Sequence, residues 1–171
     1  PSPSGQVDMT PSNLASQNFE VSLVVAPPAL PVDEAISFRK PPRRAEAKFL
    51  WPVRGELLSD FGPKPGNRRN DGVNISAPIG SPVRAAENGV VAYAGNELRG
   101  YGNLLLVRHD GGWVTAYAHN SELLVERGAV VRRGEVIARV GKSGNVDKPQ
   151  AHFELRRGDE AVDPHEYLSW K

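Results

Sequence analysis

The chain has 171 residues, of which 39% are hydrophobic and 24% are charged, a composition typical of a globular protein with about one domain of ordinary size. Lys and Arg together number 21 and Asp and Glu number 20, so the formal net charge of +1 supplies no overall field for nucleic acid or an anionic membrane. The absence of cysteine excludes disulfides, thiolate metal sites and cysteine nucleophiles.

Residues 1–48 differ in composition from the rest of the chain. Eight of the 15 prolines lie there, whereas all but one of the 17 glycines follow. A proline-rich, polar segment cannot bury enough apolar area to offset the entropy of ordering it, so residues 1–48 are predicted to form an extended or disordered linker. Within it, apolar side chains alternate with others from Phe19 to Val25, which makes residues 19–25 a candidate docking strand. The alternative is an apolar stretch without a defined partner.

Neither a membrane span nor a signal peptide is expected in this sequence. The longest apolar candidate, residues 21–30, is interrupted by Pro27 and Pro28 and is much shorter than the roughly 20 apolar residues of a membrane helix. Residues 1–6 carry neither the basic segment nor the apolar core of a signal peptide. Composition alone therefore leaves the cellular compartment open.

From residue 49 onward, short β-rich runs alternate with glycine-containing turns, and no amphipathic helix longer than about two turns is expected. Four hairpins are predicted, namely within residues 83–94, between 104–109 and 113–118, between 130–131 and 136–140, and between 152–156 and 161–162. Without helices to cover its faces, the sheet must close on itself or pack on a second sheet. The sequence therefore predicts a mainly β domain over residues 49–171.

Histidines are the first candidates for chemistry, since imidazole is a common metal ligand and general base. His119 ends a predicted strand, and His152 opens a run in which polar and apolar residues alternate. These two are candidate site residues, although a histidine at a strand end is more often structural. His109 and His165 are expected to be surface residues.

Six short sequence motifs follow one another along residues 49–170. They are Phe49-Leu50-Trp51-Pro52, Ser59-Asp60-Phe61-Gly62, Ala77-Pro78-Ile79-Gly80, Tyr101-Gly102-Asn103, Tyr117-Ala118-His119 and His152-Phe153-Glu154. This set resembles the LytM, or lysostaphin-type, zinc metallopeptidase domain over nearly its full length. The resemblance implies an antiparallel β-sheet fold with a central groove.

The same resemblance implies that the metal site is degraded. Active members hold zinc through a His-x-x-x-Asp element and the second histidine of a His-x-His element. The corresponding segments here are Asn70-Asp71-Gly72-Val73-Asn74 and Gln150-Ala151-His152, so one zinc ligand of three remains. The catalytic histidine pair of the family corresponds to His119 and Gln150.

Catalytic zinc needs three protein ligands, which are imidazoles, carboxylates or thiolates, and a neutral amide is a poor replacement. Without zinc, no Lewis acid polarises the peptide carbonyl or activates water. Asp71 is one residue away from a ligand position and is expected to point to the opposite face of its segment. We therefore expect no metal, no cofactor and no enzymatic activity.

Members of the family that have lost zinc ligands act as activators of wall hydrolases. The resemblance thus implies a non-catalytic regulator of cell-wall remodelling in division, located in the periplasm, whose partners are N-acetylmuramoyl-L-alanine amidases or other wall hydrolases. The expected groove floor consists of Asn70, Asn74, His119, Gln150 and His152. Candidate partner contacts are Arg68, Arg69, Arg99 and Tyr101, since arginine and tyrosine are common interface anchors.

Three alternatives stay open at the level of sequence. The groove could hold peptidoglycan itself and serve as a wall-binding module, or the domain could be an active zinc endopeptidase of the cell wall. The arginines could also be a solvated loop face without a partner, because surface charges are common.

Overall fold

The computed structural model describes residues 39–171, and the candidate docking strand at residues 19–25 lies outside them. The described residues form fourteen β-strands and one short 3-10 turn at Pro164–Glu166. The strands are β1 (Phe49–Leu50), β2 (Glu56–Ser59), β3 (Gly62–Lys64), β4 (Arg68–Asn70), β5 (Val73–Ser76), β6 (Pro82–Arg84), β7 (Gly89–Gly95), β8 (Asn103–His109), β9 (Trp113–Leu123), β10 (Val130–Val131), β11 (Val136–Val140), β12 (Gln150–Arg157), β13 (Glu160–Val162) and β14 (Leu168–Ser169).

Most of these strands form one ten-stranded sheet. Its main path runs β10-β7-β8-β9-β12-β5-β2, and every neighbouring pair on this path is antiparallel. The 11-residue β9 pairs with β12 over its first part and with β11 near its C-terminal end. The mainly β, antiparallel fold predicted from the sequence is confirmed. One small pair, β1 with β14, is parallel and joins the two ends of the domain.

Two of the four predicted hairpins are confirmed and two are wrong. β8 pairs with β9, and β12 pairs with β13, as the glycine-containing turns indicated. In contrast, β10 pairs with β7, while β6 and β11 pair with each other. The physical reason is burial: Val131 and Ile137 are fully buried in the core, and a local turn signal does not determine which distant strand can cover them.

The core fills both faces of the central strands. Leu105 and Val107 of β8 belong to the main apolar cluster, whereas Leu104 and Leu106 belong to a second, smaller one. This assignment follows the two-residue period of a strand, since successive side chains point to opposite faces. Consequently β8 and β9 are held rigidly from both sides, which fixes the position of the residues at their ends.

One end of this sheet contains a buried polar cluster around Glu87. The Glu87 carboxylate is wholly buried, accepts hydrogen bonds from the backbone N–H of Ala45 and Glu46 at 2.8 Å each, and pairs with Arg133 at 3.2 Å. Burial raises the pKa of Glu87, but these hydrogen bonds, that of Asn88 and the charge of Arg133 outweigh burial and lower the pKa overall. Residues 45–46 of the predicted linker therefore lie against the folded domain.

His109 belongs to the same cluster and corrects a sequence prediction. It was expected at the surface but is only 2% exposed. Its Nδ1–H donates to the backbone oxygen of Asn88 at 2.7 Å, and its Nε2 lies 2.8 Å from Thr115 Oγ1. Burial lowers the pKa of His109 to about 4. The sequence could not reveal this, because the partner at Asn88 is distant along the chain.

The boundary between linker and domain at residue 49 stays a prediction, although β1 begins there. Among residues 39–171, no helix has the length and apolar character required to cross a membrane.

Candidate functional site

A groove opens at the end of the sheet where β5, β9 and β12 lie side by side. It encloses a cavity of about 740 Å³. All nine candidate residues from the sequence analysis line it, namely Arg68, Arg69, Asn70, Asn74, Arg99, Tyr101, His119, Gln150 and His152. The structure thus brings them together, while their roles in binding stay predictions.

The floor of the groove is set by strand register. His152 of β12 lies directly opposite Asn74 of β5 on one side and Ala118 of β9 on the other. Directly opposed residues in an antiparallel pair have Cβ atoms about 5 Å apart, so their side chains meet when they share a face. Gln150 shares this face of β12 because it is two residues before His152.

The residues at the positions that correspond to zinc ligands are joined by hydrogen bonds to one another and to Gln150. Asn70 Nδ2 donates to Asn74 Oδ1 at 3.0 Å, and Asn74 Nδ2 donates to Gln150 Oε1 at 2.7 Å. Asn74 Oδ1 also lies 3.0 Å from His152 Nδ1. The carboxamides therefore satisfy each other, which is the arrangement that partly buried polar groups require.

The Nε2 side of the His152 ring faces a series of charged side chains that pair with one another. Its Nε2 lies 2.9 Å from Glu154 Oε2, and the second oxygen of Glu154 accepts from Arg156 Nε at 2.9 Å. Arg156 also lies 3.8 Å from Asp71, which pairs with Arg69 at 3.0 Å. Asp71 is thus held by two arginines and makes no hydrogen bond with the carboxamides.

Glu154 and Arg156 were not selected as site residues from the sequence. The available signal was the alternation His152-Phe153-Glu154-Leu155-Arg156, which puts three polar side chains on one face of β12. Sequence alone did not show that this face is buried and that its charges compensate each other.

His119 reaches the groove through an unusual backbone conformation. Its φ is 68°, in the left-handed region that non-glycine residues rarely occupy. The conformation is held by a hydrogen bond from His119 N–H to the Tyr101 oxygen at 2.8 Å, and Nδ1 donates to the Ser143 oxygen at 2.8 Å. Burial lowers the pKa of His119 to about 4, with a further lowering by nearby His152. Such strained positions are concentrated at functional sites.

Two loops close one side of the groove by packing backbone on backbone. A Cβ atom at Gly144 would lie 2.6 Å from Gly102 N and 2.7 Å from Gly100 O, so only glycine fits there. This contact fixes the loop that carries Tyr101, whose ring centroid is 6.3 Å from that of His152. Arg99, in the same loop, is exposed at the rim.

The two arginines of β4 have different environments. Arg69 pairs with Asp71, and its guanidinium lies over the Phe61 ring at 4.8 Å. Arg68 is exposed, and its Nε donates to the Pro65 oxygen at 3.2 Å. No carboxylate within the described part of the chain lies within 4 Å of Arg68. Arg68 is therefore the more available of the two for a partner.

The residues at the ligand positions do not fit a catalytic zinc ion. Two of the three are neutral carboxamides, and the third, His152, has an oxygen acceptor beside each ring nitrogen. A catalytic zinc site needs three imidazole, carboxylate or thiolate ligands with free lone pairs directed at one point. Over residues 39–171, no group of three or more His, Asp or Glu side chains is placed to hold a metal ion.

Comparisons with known proteins agree with this architecture. The family model described as Peptidase family M23 matches residues 68–164. Cell division protein DipM of Caulobacter vibrioides is 43% identical over 90% of this chain and 27% of its own length. Murein hydrolase activator NlpD of Escherichia coli is 38% identical over 70% of this chain and 31% of its own length. The chain thus spans about a third or less of these two relatives.

Among solved structures, a zinc-containing peptidase from Vibrio cholerae has a TM-score of 0.64 and 31% sequence identity to this chain. The similarity covers 70% of this chain and 40% of the peptidase. This chain therefore shares its fold with a zinc-containing peptidase.

Proposed function

The chain belongs to peptidase family M23, and we propose that within this family it is a non-catalytic regulator that binds and activates peptidoglycan hydrolases through its groove. The single observation that carries the proposal is the hydrogen-bonded set Asn70, Asn74, Gln150 and His152 at the metal and catalytic positions. The groove keeps its shape while its chemistry is replaced by neutral, mutually satisfied groups.

A binding role suits the physical properties of this groove. Its floor requires no metal to be complete, because the carboxamides already satisfy each other. Its walls are rigid, since β5, β9 and β12 are central strands and the Gly102–Gly144 contact fixes the loop above them. A preformed concave surface of this kind binds a peptide segment with little entropy cost to the receptor.

The relatives support the choice of partner. One is named a cell division protein and the other a murein hydrolase activator. We infer that the partner is an N-acetylmuramoyl-L-alanine amidase or another wall hydrolase, and that the protein acts in the periplasm at sites of division. In this mechanism the partner performs hydrolysis, and the groove of this chain holds the segment through which the partner is controlled.

The test is an activation assay with a wall amidase from the same organism. We expect release of dye from labelled sacculi to increase when the chain is added to the amidase, and no release from the chain alone. Arg68→Glu is expected to reduce activation about tenfold, because an exposed interface cation is replaced by an anion. Arg132→Glu is the matched control, since Arg132 is exposed but does not line the groove.

Two outcomes would overturn the proposal. If the chain pellets with sacculi in the absence of amidase and never stimulates any amidase, the groove serves a wall-binding module. If calorimetric titration of the metal-free chain shows tight one-to-one zinc binding and the chain then cleaves wall peptides, the domain is an endopeptidase.

A further inference from the structure

Strand β2 is a free edge of the large sheet. It is the last strand on the main path and pairs with β5 on one side. Within residues 39–171, no strand pairs with its other side. Edge strands present unpaired backbone N–H and C=O groups, and proteins usually protect them with charges, prolines or covering segments. Here only Glu56, at the first position, is charged.

The middle of β2 is apolar and exposed. Leu57 and Leu58 are 40% and 41% exposed, and both are among the exposed large hydrophobic residues of the domain. The register places Leu57 opposite Ile75 and Ser59 opposite Asn74, so Leu58 is the extra residue of a β-bulge. A bulge redirects the side chain of its extra residue. Leu58 consequently lines the groove.

A cationic pair lies on the same side of the groove. Lys64 and Arg68 are directly opposed in the β3–β4 hairpin, and both line the groove with Leu58. Like charges in this position destabilise a strand pair. In the described part of the chain, no carboxylate lies within 4 Å of either charge, whereas Asp71 and Glu154 are already paired with arginines. The uncompensated charge on the β3–β4 side of the groove is therefore positive.

We propose that β2 is the docking edge for an extended segment of a partner protein, which adds to the sheet as a further strand. The segment carries aliphatic residues that contact Leu57 and Leu58 and acidic residues that face Lys64 and Arg68. Backbone hydrogen bonds to β2 supply affinity, and the alternating side chains supply specificity. The identity of the partner as a wall hydrolase rests on the proposed function, whereas strand addition at β2 does not.

A partner strand at β2 would account for two features that binding to the groove floor alone does not explain. Two exposed leucines on an unprotected edge strand are an aggregation risk unless a partner covers them. The opposed pair Lys64 and Arg68 becomes favourable once a carboxylate lies between the two cations. A partner strand of mixed aliphatic and acidic composition meets both requirements at once.

The probe is a ten-residue peptide of alternating leucine and glutamate, labelled for fluorescence anisotropy and titrated with the whole chain. We expect binding that is at least about tenfold tighter than that of the matching leucine and lysine peptide, because only the acidic peptide complements Lys64 and Arg68. N-methylation of alternate peptide nitrogens is expected to weaken binding about tenfold, since it removes backbone donors. Equal binding of the methylated peptide would exclude strand addition.

Variants of the chain complete the test. The double substitution Leu57→Ser and Leu58→Ser is expected to weaken peptide binding about tenfold without unfolding the domain, because both side chains are exposed. Val130→Ser is the matched control, since Val130 is 48% exposed on β10 at the opposite edge. Lys64→Glu combined with Arg68→Glu is expected to reverse the preference toward the leucine and lysine peptide. No binding of the acidic peptide, or no effect of the leucine substitutions, would overturn the proposal.

Amidase activation separates this inference from the proposed function. If the leucine variant activates the amidase normally while Arg68→Glu does not, the groove function stands and the docking edge fails. If the unaltered chain binds the peptide but activates no hydrolase, the docking edge stands and the proposed function fails.

Discussion

Two polar networks of the domain differ in what surrounds them. The cluster at Glu87 contains a fully buried carboxylate, and backbone donors and Arg133 compensate its charge. The network of Asn70, Asn74 and Gln150 consists of neutral amides that line an open cavity.

The difference indicates that the network around Glu87 serves folding, and it agrees with the proposal that the groove network serves recognition. A buried charge is tolerated only when every donor and acceptor is paired, so the residues around Glu87 cannot change without loss of stability. The amides of the groove satisfy each other but also face a cavity that water or a partner can enter. We therefore expect substitutions of these amides to affect binding more than the free energy of unfolding.

The largest expected effect comes from restoring in the groove the two missing zinc ligands and the missing catalytic histidine that the family resemblance implies. The triple variant Asn70→His, Asn74→Asp and Gln150→His is expected to bind one zinc ion with a free energy of about 10 kcal/mol, because the three ligand positions then carry two imidazoles and a carboxylate. Isothermal titration of the metal-free protein with zinc measures this. Asn74→Asp alone is the control and should bind weakly, since it still lacks one ligand. Failure of the triple variant to bind would show that the groove has lost its metal geometry as well as its ligands.

The next largest effect is expected at the other network. Glu87→Ala removes the acceptor of the Ala45 and Glu46 N–H groups and leaves Arg133 uncompensated, so we expect a loss of about 3 kcal/mol in the free energy of unfolding. Urea denaturation followed by tryptophan fluorescence gives the value. Glu122→Ala, on the exposed part of β9, should stay within about 0.5 kcal/mol. Similar losses in both variants would contradict the assigned role of Glu87.

The free energy of unfolding is expected to depend on pH through His109, by an amount similar to or smaller than the effect of Glu87→Ala. Its pKa is about 4 in the folded chain and 6.5 ordinarily, so the unfolded chain binds the proton at higher pH. The stabilisation is full above pH 6.5 and is lost as pH falls toward 4, by about 3 kcal/mol at most. Unfolding free energies of His109→Gln measured from pH 7 to 4 should decline less steeply than those of the unaltered chain. Parallel profiles would show that His109 is not the titrating group.

The smallest effect distinguishes the two neighbouring arginines of β4. Arg69→Ala removes an exposed ion pair with Asp71 and contact with the Phe61 ring, so we expect a loss of about 0.5–1 kcal/mol in stability. Arg68→Ala is expected to change stability by less than about 0.5 kcal/mol, because Arg68 has no carboxylate partner in the described chain. Chemical denaturation of both variants provides the comparison, and a larger loss for Arg68 would reverse it.

The residue types by themselves determined the fold class and indicated that zinc ligands are missing from the groove. Glycine-containing turns between β-rich runs required a sheet with many short strands, which the structure confirms. Asn70 and Asn74 could be recognised as poor zinc ligands without coordinates, because the donor chemistry of a carboxamide does not depend on the fold.

Tertiary structure decided everything that depends on distant partners. The pairing of β10 with β7, the burial of His109 beside Asn88 and the approach of Arg156 to Asp71 all join groups that are far apart along the chain. The same holds for the free edge of β2, since an edge exists only relative to the order of all strands in a sheet. Local sequence sets propensity and chemistry, whereas burial and pairing are properties of the whole packed chain.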